Sequence, residues 1–160
     1  MKKILNASNM LACVSCVLSL VFVILYAVNV NSAGYFQGNR AANLVLLAIL
    51  AMVCNALIIG RSFVKVEGYA LKALDVVVFV CKVLIPLFLI FAAISLLSAR
   101  IEGLGYIYFS NVDVAKEVAT PANLGSAGLA IATIVVGIVT AIISVVAAFF
   151  LPKHPEVEEA

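Results

Sequence analysis

Histidine occurs once in the 160 residues, as His154 in a proline-flanked tail, and no acidic residue precedes Glu67. A metal centre or catalytic site built on several imidazoles is therefore excluded, and the first apolar segment carries no embedded carboxylate. Charged residues make up only 11% of the chain, ten basic and eight acidic, and apart from Lys82 they sit at or near segment ends. No clustered basic stripe is left to bind nucleic acid. The four cysteines, Cys13, Cys16, Cys54 and Cys81, all fall in apolar stretches, so the loops hold no disulfide framework. What dominates instead is hydrocarbon: 66% hydrophobic residues and a mean hydropathy of +1.24, well above the roughly 45–50% apolar usage of soluble domains.

That hydrocarbon is collected into four runs, Met10 to Val28, Leu44 to Ile59, Val76 to Leu97 and Leu124 to Leu151. Each is long enough to cross a ~30 Å hydrocarbon core as a helix. The pattern predicts one integral membrane domain over residues 1–160, an all-α bundle of four transmembrane helices at about 9–29, 42–60, 73–98 and 122–151. The first run follows Met1-Lys2-Lys3, as signal peptides do. It exceeds a signal's 7–15-residue apolar core and ends without a small-residue cleavage pattern, so it is expected to stay as a membrane helix.

Basic residues set the orientation, because Lys and Arg resist translocation. Lys2, Lys3, Arg61, Lys65, Lys72 and Lys153 fall on one side, against Arg40, Arg100 and Lys116 on the other. Both termini are expected to be cytoplasmic. Compact loops and the Met1-Lys2-Lys3 start point to a bacterial cytoplasmic membrane.

The two extracytoplasmic loops differ in length. The shorter, about 29–42, turns at Gly34 and Gly38. The longer, about 99–123, opens with Gly103 and Gly105 and continues into Tyr106–Phe109, a β-branched and aromatic stretch expected to be extended. Ser110 and Asp113 then have a capping-box-like spacing ahead of a short helix at 114–119, and Pro121 suits the first turn of the fourth membrane helix. Tyr35, Phe36, Tyr106, Tyr108 and Phe109 gather at this outer interface, where an aromatic belt is expected, with a small ligand platform as the alternative. Ala42-Asn43-Leu44 and Ala122-Asn123-Leu124 form a weak internal echo, compatible with duplicated parallel hairpins.

Small residues recur every three or four positions in the fourth helix, at Ser126, Ala130, Thr133, Gly137, Ala141, Ser144 and Ala148. This is a packing seam that lets a neighbouring backbone come close, either within the bundle or from a partner or second copy. The first helix has a shorter version, Ser8, Ala12, Ser15 and Ser19, continuing into Phe22 and Tyr26.

Polar groups inside spans are expensive, so they form the candidate site: Asn55, Asp75, Lys82 and Pro86. Asp75 and Lys82, seven residues apart, share a helix face, and the lysine is expected to snorkel toward the cytoplasmic end and the Asp75 carboxylate. Asn55 is placed for an interhelical hydrogen bond. Cys13 and Cys16 form a C-x-x-C, but an apolar, reducing setting makes them packing residues before thiol chemistry. The Asn6-Ala7-Ser8 glycosylation triplet is discounted as cytoplasmic, and the acidic end from Pro155 to Ala160 reads as a solvated tail.

In helix number alone the chain is similar to small multidrug transporters and membrane thiol oxidoreductases. It departs from the first by lacking a glutamate in its first helix, and from the second by having no cysteine near the outer surface. The expectation is a non-enzymatic interaction or structural role, as an accessory subunit or self-associating protein, without cofactor or nucleic acid. A small proton- or ion-coupled transporter using Asp75 and Lys82 is the alternative.

Overall fold

A backbone in hydrocarbon has no water to satisfy its N–H and C=O groups, and long apolar runs there must become helices. The computed structural model, which describes residues 7–64 and 68–150, contains α1 (Ala7–Asn31), α2 (Leu44–Arg61), α3 (Tyr69–Phe109), α4 (Val112–Val118) and α5 (Pro121–Ala148). All but α4 are long and apolar enough to cross a membrane. The chain is an all-α four-helix membrane bundle. Lys2, Lys3, Asn6, Lys65, Glu67 and everything after Phe150 lie outside the described residues.

Helices α1, α2, α3 and α5 form a ring in which each packs on its neighbours in the order α1–α2–α3–α5–α1. Successive spans run antiparallel. The start of α1, the end of α2, the start of α3 and the end of α5 therefore meet at one end, here called the terminal end; the other is the hairpin end. Asn9 Nδ2 donates to Ser62 Oγ at 2.6 Å across the terminal end, and Asn29 Nδ2 donates to the Ser126 carbonyl at 2.8 Å near the hairpin end. Phe22, Leu44, Ala48, Ala92 and Leu96 build the core toward the hairpin end, and Ala12, Ala51, Val78, Ile85 and Leu89 build it toward the terminal end.

The third helix departs from expectation. It does not stop near residue 98 but runs 41 residues to Phe109, about 60 Å at 1.5 Å per residue. Tyr106–Phe109 is thus helical, not extended, and Gly103 and Gly105 are helix residues, not turn residues. Packing explains Gly103: a Cβ there would lie 2.5 and 2.6 Å from the Tyr35 and Phe36 rings, so only a glycine lets the first hairpin loop settle on the helix. The gain of ring contact outweighs the weak β preference of the tetrapeptide.

Ser110 ends this helix by donating to the Tyr106 carbonyl at 2.5 Å, and Asn111, not Ser110, caps α4 by accepting from the Val114 N–H at 3.1 Å. Thr120 caps α5 and Pro121 takes its first turn, where a missing N–H costs no hydrogen bond. The two echoed triplets do not correspond: Asn43 precedes α2 with φ +60°, whereas Asn123 is already inside α5.

Candidate functional site

Lys82 faces inward from α3 and is 5% exposed. Its Cβ leans toward the helix N-terminus, and its four-carbon stem carries the ammonium toward the terminal end. There Nζ donates to Ser8 Oγ of α1 at 3.1 Å and to the carbonyl oxygen of Phe150, just past α5. One side chain thus ties three spans together.

Asp75 is not its partner. The carboxylate instead accepts from Arg61 Nε at 2.9 Å. Arg61 ends α2 and Asp75 lies in the second turn of α3, so the short connection sets them side by side, whereas Lys82 is roughly 10 Å further along the axis. The lysine snorkels in the expected direction but to neutral oxygens.

Asn55 Nδ2 donates to Ser15 Oγ at 3.3 Å and to the Ala51 carbonyl at 3.1 Å, linking α2 to α1. Pro86, one turn beyond Lys82, has no N–H to return to the Lys82 carbonyl. Between the four spans lies a small cavity with polar lining from Ser8, Asn55, Lys82 and Ser144, with room for about one water-sized particle. Asn55 and Lys82 are brought together there; Asp75 and Pro86 do not line it.

The α5 seam faces into the bundle. Ser126, Ala130, Thr133, Gly137, Ala141 and Ser144 are buried and Ala148 is half-buried. A Cβ on Gly137 would come 2.7 Å from the Phe22 ring of α1, so the seam is occupied by the chain's own first helix. Ser8, Ala12, Ser15, Ser19, Phe22 and Tyr26 of that helix are buried in turn. Cys13 and Cys16 are half-buried free thiols, and no group of three metal-ligating side chains occurs among the described residues.

A second charged group, missed in the sequence, sits near the hairpin end. Arg100 is fully buried, its guanidinium stacked 4.7 Å from the Phe36 ring centre and 6.0 Å from that of Tyr26. Nη2 donates to the Asn39 carbonyl at 2.7 Å, while Nε and Nη1 have no hydrogen-bond partner among the described residues. Tyr26 is itself fixed, accepting from the Ala41 N–H at 2.7 Å. Phe36 is therefore a buried anchor and not part of an interfacial belt, whereas Tyr35, Tyr106, Tyr108 and Phe109 are exposed. A legible signal existed: Arg100 follows Lys82 by eighteen residues, five helical turns, which returns it to the same face.

Between these two cations the α3 interior face is apolar, with Ile85, Leu89, Ala92 and Leu96 buried. On the outer surface, α3 and α5 enclose an apolar groove of about 290 Å³ lined by residues including Ile90, Ile94, Leu97, Ile138, Ile142 and Val145. Comparison of the chain with protein families, with characterised proteins and with solved structures finds no match.

Proposed function

We propose that the protein has a structural or interaction role in the membrane, as an accessory subunit or a self-associating protein, and that it carries no catalytic site. Apolar packing of the inner face of α3 is the observation that supports this reading: Leu89, Ala92 and Leu96 are fully buried between Lys82 and Arg100, and the buried hydroxyls of Ser19, Thr133 and Thr140 donate to carbonyls of their own helices. The polar groups at the terminal end are engaged in joining spans, Asp75 with Arg61, Asn55 with Ser15 and Lys82 with Ser8. The apolar groove between α3 and α5 adds support, since aliphatic side chains from another membrane helix would fill it by dispersion packing.

The membrane in this reading is a bacterial cytoplasmic one with both termini inside, in keeping with the bias of basic residues toward the terminal end. Crosslinking in native membranes followed by detergent purification is expected to recover the chain with a stoichiometric partner or a second copy. Ile94→Trp, which fills the groove, should reduce that yield. A strictly monomeric, partner-free chain would refute the role.

One observation favours a second reading, a small proton- or ion-coupled transporter using Asp75 and Lys82: among the described residues the buried ammonium has no carboxylate as a hydrogen-bond acceptor. In that case Lys82→Met and Asp75→Asn should each abolish proton flux in liposomes. Flux that is absent in the wild type, or unchanged in both variants, removes it.

A further inference from the structure

The Lys82 cavity holds more donor capacity than the protein uses. An ammonium has three N–H donors and a serine hydroxyl has one. Lys82 places two of its three on Ser8 Oγ and the Phe150 carbonyl, and Ser8 accepts there without giving its own proton to any described residue. One N–H and one O–H are left beside a cavity with room for about one water-sized particle. The other lining donors are committed, Asn55 Nδ2 to Ser15 and Ala51 and Ser144 Oγ to the Ala141 carbonyl.

Charge makes the same point. Arg61 and Asp75, the charged pair nearest in sequence at this end, pair with each other, and among the described residues the acceptors of Lys82 are neutral. A buried charge is costly unless something of opposite sign joins it, and Lys82 is 5% exposed. A water molecule would fill the space but not offset the charge.

We propose that this cavity binds one small monovalent anion of halide size, held by Lys82 Nζ and the Ser8 hydroxyl where α1, α2, α3 and α5 meet. The ion would act as a bound electrolyte that holds the terminal end of the bundle together, whatever partner the protein has.

The test uses the full chain purified in a neutral detergent, with sodium chloride or bromide compared against sodium gluconate at equal ionic strength. Gluconate is too large to enter. Thermal unfolding is expected to shift upward with halide and saturate as for one site, and bromide should give a single anomalous-scattering peak beside Nζ in crystals. Lys82→Met should remove the halide dependence, and Ser8→Ala, which keeps the ammonium, should weaken it several-fold. Lys72→Met, on the exposed start of α3, should leave it unchanged. Equal unfolding temperatures in halide and gluconate for the wild type would overturn the proposal, even if Lys82→Met fails to fold. So would a halide response that survives Lys82→Met.

Discussion

At the scale of single residues, the interior is governed by how close two backbones can come. Gly137 is where α5 receives the Phe22 ring, with a Cβ position only 2.7 Å from it. Gly137→Val overfills that contact and should destabilise the bundle by about 1–3 kcal/mol, read as a lower midpoint in unfolding by sodium dodecyl sulfate. Phe36 plugs the hairpin end against Ile107, Ala127 and Ala130 and carries the Arg100 guanidinium on its face. Phe36→Ala should cost about 3–5 kcal/mol and bring Arg100 into contact with water, detectable as labelling of Arg100 by a guanidine-specific reagent that the wild type resists. Both effects depend on side chains whose importance comes from their surroundings. Gly137 was legible in the sequence because its small neighbours repeat at helical spacing. Phe36 was not, because an aromatic residue in a polar hairpin looks the same whether it faces lipid headgroups or turns inward.

At the scale of elements, α3 is the span whose length and composition disagree. Hydropathy falls after Leu97, so the sequence suggests an end near residue 98, yet the helix goes on to Phe109. Hydropathy reports the solvent a segment prefers; it does not report where hydrogen-bonded turns stop. The continuing inward face, Arg100, Gly103 and Ile107, keeps the helical interval of three and four and is buried throughout. Two glycines in this extension test it with opposite signs. Gly105 has nothing within 4 Å of its Cβ position, so Gly105→Ala should stabilise by roughly 0.5–1 kcal/mol through helix propensity. Gly103→Ala should destabilise, because the Tyr35 and Phe36 rings occupy the space. Were 99–109 an irregular loop, the first gain would vanish and backbone amides there would exchange freely; protection through Ile107 is expected.

The short elements follow the same lesson. Pro121 marks the start of α5 by a covalent property that no context changes, and it is found in the first turn. The cap of α4 depends on which of two adjacent residues turns its side chain back, and the spacing of Ser110 and Asp113 pointed to the wrong one; Asn111 performs it.

For the whole molecule, the number of spans and their helical nature follow from composition and from the demands of lipid on a backbone. How the intramembrane polar groups pair does not, because a helical face defines a direction but not which neighbouring helix stands there. Asp75 and Lys82 share a face, yet the α2–α3 connection delivers Arg61 to the carboxylate, and α1 and α5 deliver Ser8 and Phe150 to the ammonium. Asp75 and Lys82 thus join four spans through separate sets of partners, Arg61 for the carboxylate and Ser8 and Phe150 for the ammonium.

That division is open to a direct measurement: double-mutant cycles on unfolding in mixed micelles, one on Lys82→Met with Ser8→Ala and one on Lys82→Met with Asp75→Asn. The structure predicts a coupling of about 0.5–3 kcal/mol in the first cycle, and in the second additivity to within about 0.5 kcal/mol. A large coupling between Lys82 and Asp75, with none between Lys82 and Ser8, would contradict it.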